Sequence, residues 1–231
     1  MESLNLESIT DQVRSILLRD IEAGKLAPGA RIHEARFAQE LGISKSPLRF
    51  AIYQLKQDGI IRIEPRRGIY IAIPTNKELA ELVELREGLE GLAARRAAVR
   101  ASAKTVRELE TCFAGFDEGS INNRLDEYAA ANRKFHRRLI EASGSSELIK
   151  ALDVIKVRLH LNWLRARLPH KRDLVGVHRE HLSIIEAIRA KDGDKAESLV
   201  AAHIANVPWA TAVAAEFVAA EQSSAFASSS A

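Results

Sequence analysis

The sequence predicts a mainly α protein in two parts: a head of three short helices and a β-hairpin over residues 1–74, then an all-α block of six helices over residues 75–222. Three observations predict it. Apolar residues recur at three-to-four spacing through most of the chain. The convincing β-rich runs, "IIRIE" and "GIYIA", lie together around "PRRG". Short breaks rich in glycine, proline and serine punctuate the rest.

In order, Ile9, Val13, Ile16, Leu17 and Ile21 mark a first helix from about Leu6 to Ala23, stopped by Gly24. "KLAPGARI" reads as a tight turn, proline pre-setting one angle and glycine accepting a positive one. A short helix from Glu34 to Leu41 ends at Gly42. Ser44 then caps a helix running to about Gln57, with Pro47 in the first turn, where a missing donor costs little. Past Gly59 comes the hairpin, with a glycine at its bend, and Pro74 closes the head. Helices are expected near 76–101, 103–118, 121–143, 145–167, 171–191 and 193–221, broken at "ASAK", "EGS", "SGSS", "LPHK" and "KDGD". Leu82, Leu85, Leu89 and Leu92 form one apolar stripe on the first of these, beside an Arg86–Glu90 pair. The tail 223–231, "SSAFASSSA", reads as disordered.

The 231 residues are 46% hydrophobic, enough for a real core. No run of about 18 uncharged apolar residues exists to span a bilayer, and "MESLNLESIT" is unlike a signal peptide. A cytoplasmic protein with no membrane partner is expected. The single cysteine, Cys112, reads as a packing residue in a reducing compartment. A formal charge of +3 does not by itself argue for nucleic acid. Its distribution does: between Lys45 and Arg67, six basic residues stand against two acidic ones.

A short helix, a turn through "LGIS" and a second helix with a basic start make a helix-turn-helix, whose second helix enters the major groove. Lys45, Ser46 and Arg49 are then closest to base edges, behind Ser44 at the helix start, with Arg36 on the preceding helix. Arg49 suits specific reading, because a guanidinium bonds two acceptors of one guanine. Arg66, Arg67 and Gly68 of the hairpin make a wing.

"VRSILLRDIEAGKLAPGARIHEARFAQELGISKSPLRFAIYQLKQDGIIRIEPRRGIYI" resembles, nearly end to end, the winged-helix domain of GntR-type bacterial transcription regulators. The resemblance is carried by Leu26, Pro28, Gly29, Leu41, Gly42, Ser44, Pro47, Arg49, Leu55, Gly59 and Gly68. Two departures bear on sequence preference: Phe50 stands where glutamate is usual, and Lys45–Ser46 replace arginine and threonine.

Inward-facing polar residues mark the helical block. His136 shares an apolar helix face with Asn132; His181 is spaced with Val177, Ile184, Ile185 and Ile188; His203 lies between Leu199 and Val207. Such histidines are either hydrogen-bonded core residues or ligands of one metal ion. His178 reads as surface-exposed, the alternative being a cavity-facing ring, and Trp163 and Trp209 read as packing residues, the alternative being a cavity wall. The segments "ELVELREGLEGLAARRAA", "NRKFH" and "EHLSIIEAIRAKDGDKAESLVAAHI" resemble the FadR-like C-terminal domain called FCD. That resemblance implies one divalent metal held by Asn132, His136, His181 and His203, with Asn132 where aspartate is common. A neutral amide-and-imidazole set suits zinc or nickel. It also places Arg86 in an effector cavity, and helical phase adds Arg133 and Arg158.

Together these imply a ligand-responsive DNA-binding transcription regulator. It is expected to be a repressor, bound as a homodimer to double-stranded operator DNA and sensing a small organic acid; the alternative is a metalloregulator whose signal is the metal itself. An enzyme is not expected, since a hydrolytic metal site needs a general base and the sequence nominates no carboxylate for it.

Overall fold

A computed structural model describes residues 8–166 and 173–206. The chain divides into two compact units: among the described residues, 8–75 with 154–166, and 76–153 with 173–206. The expected 223–231 tail lies outside the described residues, as do Trp209 and the side chain of Trp163.

The first unit holds α1 (Ile9–Glu22), β1 (Arg31–Ile32), α2 (Glu34–Glu40), α3 (Lys45–Gln57), β2 (Ile61–Glu64) and β3 (Gly68–Ile71). Its antiparallel sheet has the order β1-β3-β2, with Ile61 opposite Ile71 and Glu64 opposite Gly68. The sequence suggested only β2 and β3; β1 is two residues long, too short to alternate. Val13, Leu17 and Ile21 of α1, Leu48, Ile52 and Leu55 of α3, and Ile60, Ile61 and Ile71 are buried in one core, joined by Val157 and Leu161.

Two turns shape this unit. Ala30 N–H donates to Ala27 C=O at 2.9 Å across Pro28–Gly29, and Gly29 has φ +79°, as the turn needs. At the wing, Arg67 N–H donates to Glu64 C=O at 3.1 Å, so the bend is Pro65–Arg66 rather than the expected glycine. Arg66 itself takes φ 63°, and Gly68 follows at φ 135°, where a Cβ would stand 2.9 Å from Arg31 Nε.

The second unit is helical: α4 (Asn76–Arg100), α5 (Ala103–Thr111), a 3₁₀ turn (Ile121–Asn123), α6 (Leu125–Ala142), the start of α7 (Ser146–Ala166), α8 (Leu174–Arg189) and α9 (Gly193–Ala205). Ser102, Asp173 and Asp192 cap α5, α8 and α9 by accepting from the N–H of Thr105, Gly176 and Lys195. α5 stops short of the expected 118: past Thr111 the N–H groups of Cys112, Phe113 and Ala114 bond the carbonyls three residues back in tight turns, and Gly115 follows at φ 83°. The aromatic core contains Phe113, Tyr128 and Phe135, with Leu109, Leu139, Ile184, Ile188 and Val200.

The buried face of α4 differs from the leucine stripe. Ala93, Ala94, Ala97 and Ala98 turn inward, and α9 packs closely enough that a Cβ on Gly91 would stand 3.4 Å from the Glu197 carbonyl oxygen. Leu82 is buried, whereas Leu85 and Leu92 are 54% and 39% exposed. Small side chains let two helix backbones approach, and larger leucines are displaced outward.

Candidate metal centre and nucleic-acid interface

Three helices bring their histidines together. His136 from α6, His181 from α8 and His203 from α9 are 4%, 0% and 2% exposed, and one ring nitrogen of each lies within 4.8 Å of the others. His136 Nε2 and His203 Nε2 are 3.2 Å apart. Around them, Phe113 stacks on the His181 ring with centroids 4.7 Å apart, and Phe135 meets the same ring edge-on.

The outer ring nitrogens are held from behind. His136 Nδ1 lies 2.8 Å from Glu90 Oε2 on α4, His203 Nδ1 lies 2.7 Å from Glu180 Oε2 on α8, and His181 Nδ1 lies 3.2 Å from the Tyr128 hydroxyl. A carboxylate only accepts, so Glu90 and Glu180 fix the proton of each imidazole on Nδ1. In neutral rings this leaves lone pairs on the two facing Nε2 atoms. Two lone pairs 3.2 Å apart repel unless a proton or a cation lies between them. Imidazoles oriented by carboxylates behind them are the usual preparation of a metal site, so the donor set fits a divalent ion.

Asn132 lies one turn before His136 on the same helix, and its Oδ1 is buried without a hydrogen-bond partner. That fits an oxygen donor. Glu90 is fully buried, and its other oxygen accepts from Arg86 Nε at 2.8 Å; the Arg86 side chain is 18% exposed. The pair expected beside the leucine stripe is therefore an inward pair joined to the histidines. The other two arginines are not brought there. Arg133 is exposed, about 100° around α6 from Asn132, and the Arg158 side chain lies against Gly59 in the first unit, its Nε 3.1 Å from where a Cβ would be.

His178 is buried at 5% exposure rather than on the surface. Its ring meets Phe113 and Tyr128 edge-on, its Nδ1 has no hydrogen-bond partner, and desolvation lowers its pKa, only partly offset by the Glu118 charge. Cys112 is buried in the same core, and burial pushes its thiol pKa up.

In the first unit, α3 buries Leu48, Ala51, Ile52 and Leu55 and exposes Lys45, Ser46, Arg49, Phe50 and Tyr53. Ser44 occupies the capping position, but its hydroxyl makes no capping bond. Arg49 forks onto Glu34 of α2, with Nε 2.8 Å from Oε1, and Arg36 pairs with Glu40 at 2.7 Å. Arg66 and Arg67 are exposed at the wing tip, next to Gly68. The surface is a basic helix beside a basic hairpin, the shape and charge that suit duplex DNA.

Comparison with known proteins agrees with both halves. Residues 9–71 match the model of bacterial regulatory proteins of the gntR family, and residues 81–206 match the FCD domain. The chain belongs to the GntR family. It is a GntR regulator with a C-terminal FCD domain, a DNA-binding transcriptional regulator and not an enzyme.

This GntR chain is 29% identical over 211 residues to a probable D-xylose utilization operon transcriptional repressor of Paenarthrobacter nicotinovorans, covering 90% of this chain and 91% of that protein. It is 30% identical over 182 residues to the HTH-type transcriptional regulator YdhC of Bacillus subtilis, covering 78% and 80%. In fold it resembles E. coli McbR/YncC, with a TM-score of 0.72 at 21% identity over 91% of this chain and 99% of that one. No described helix is long and apolar enough to cross a membrane.

Sequence reasoning missed two residues of this regulator's site, Glu180 and the His136 contact of Glu90. Glu90 left a signal: it shares the helix face of Ala93, Ala94 and Ala97, so a carboxylate there points inward. Glu180 left none, since it sits beside a histidine on a helix whose other flank is exposed.

Proposed function

We propose that this regulator is a cytoplasmic repressor that binds operator DNA as a homodimer and is released by a small organic acid. The acid takes an open position on a zinc or nickel ion held by Asn132, His136, His181 and His203. The observation that carries the reading is the convergence of three buried imidazoles, two of them held at Nδ1 by carboxylates. A metal in a largely apolar surround binds an anion strongly, and Arg86, which has further N–H donors beyond the one given to Glu90, supplies a second cation nearby.

The head, residues 1–74, presents Arg36, Ser44, Lys45, Ser46, Arg49, Arg66, Arg67 and the Gly68 backbone to DNA. Arg49 must leave Glu34 to reach a base. That exchange is inexpensive, because both partners are open to water and salt. For the homodimer, α4 offers Leu85, Leu92 and Val99, exposed at seven-residue spacing with Gly88 between them. Repression is supported by the repressor from Paenarthrobacter, which aligns over nine-tenths of the chain.

The test measures binding to selected operator DNA with metal-loaded protein, with chelator-treated protein, and with a panel of small carboxylates. The reading expects a carboxylate to lower DNA affinity only in the metal-loaded protein, and Arg49→Ala to weaken binding without changing the far-UV spectrum. Release by metal alone, with no carboxylate response, would instead make the metal the signal.

A further inference from the structure

We propose that Phe50 reads DNA sequence directly, covering the C5-methyl group of a thymine in the major groove; the inference rests on the DNA-binding part of the reading above. Phe50 is 64% exposed on the second turn of α3, immediately after Arg49 and one turn beyond Ser46. The opposite face of the helix is sealed by Leu48, Ala51, Ile52 and Leu55, so the ring has no route into the core. Its neighbour Tyr53, also exposed at 54%, carries the Lys56 ammonium 5.8 Å from its ring centroid. Among the described residues no ring or cation contact involves Phe50.

The surroundings decide what covers this ring. The same helix also exposes Lys45, Arg49 and Lys56 and, among its exposed residues, no carboxylate, so this surface attracts a polyanion more than a basic protein. Within the major groove the apolar feature of a base edge is the thymine methyl, and an aromatic side chain is one of its known partners. A carboxylate at this position would instead accept from the cytosine amino group. Phe50 therefore offers an apolar contact where a carboxylate would offer a polar one, beside an arginine suited to guanine. Each half-site is expected to join a guanine contact of Arg49 to a thymine contact of Phe50.

The experiment selects duplexes from a random-sequence pool with the full chain, then replaces each thymine of the selected duplex in turn by deoxyuridine. Deoxyuridine pairs like thymine and lacks only the methyl. One position in each half-site is expected to weaken wild-type binding by about fourfold, the equivalent of about 0.8 kcal/mol for one buried methyl group. Phe50→Ala is expected to lose that uracil sensitivity and the thymine preference at that position. Because the ring is exposed, its thermal unfolding should match wild type. Equal uracil sensitivity in wild type and Phe50→Ala, or none at any position in wild type, would overturn the proposal while leaving DNA binding intact. Selection of no sequence at all would overturn the DNA reading and this proposal together.

Discussion

Replacing Glu90 by glutamine tests the histidine site at the point where it meets α4. Glu90 is fully buried and accepts from both Arg86 Nε and His136 Nδ1, each at 2.8 Å. Glutamine keeps the volume but removes the charge and turns one acceptor into a donor, which cannot face both N–H groups. Removing one member of a buried ion pair costs about 3–5 kcal/mol, because the remaining charge stays desolvated. Arg86 keeps 18% exposure, which places the loss at the low end, about 3 kcal/mol. With a urea slope of about 2–3 kcal/mol per molar, the unfolding midpoint should fall by roughly 1 M. Metal affinity, read by competition with a chromophoric chelator, should fall about 10–100-fold as His136 loses its orientation. The double variant Arg86→Met, Glu90→Gln should recover much of the stability but not the affinity, since no unpaired cation remains. A midpoint shift below about 0.3 M with unchanged metal affinity would refute the argument.

The site and its surroundings yield further expectations. Asn132→Asp adds a negative charge beside a divalent ion and should tighten metal binding in the same competition; weaker binding would remove Asn132 from the ligand set. His178 resists protonation when folded, so the unfolded chain takes up more protons as pH falls below the ordinary 6.5, and stability drops on acidification. His178→Phe should therefore lose less stability between about pH 7.5 and pH 5 than wild type, and an equal loss would show that burial does not govern this ring. The Cys112 thiol is buried, with Sγ donating to the Glu108 carbonyl at 3.4 Å, and should react with a disulfide reagent only slowly until urea opens the helical unit. Reaction in the native protein as fast as in urea would contradict its packing role.

Much of this was legible in the residues, and the exceptions have physical reasons. The head could be read almost element by element because its punctuation is chemical: Pro28–Gly29 demands a turn, Gly42 ends a helix, and Pro47 fits only a first turn. The wing bend misled because glycine is the ordinary carrier of positive φ, and here Arg66 carries it. In α4, periodicity found the helix and its leucine stripe, of which Leu82 and Leu89 pack inward, but not the alanine face beside it. A stripe of leucines and a stripe of alanines are both apolar, and only the closeness of α9 decides between them. The histidines were visible because inward imidazoles break an apolar pattern. Their carboxylate partners were not, since Glu90 is 46 residues from His136 and Glu180 is 23 from His203, distances over which sequence spacing carries no contact information.

The alanine face of α4 has a further consequence for the histidines. Long side chains between two helices act as a cushion, because rotamers can change to absorb a shift. Gly91, Ala94, Ala97 and Ala98 leave little such cushion against α9, the helix that carries His203. α4 and α9 are then expected to act as one stiff unit, so that adjustment to a bound ion of different radius would fall on α6 and α8. Were the proposed ion bound, a change in it would be felt as movement of those two helices, a direction along which occupancy of the centre would be transmitted.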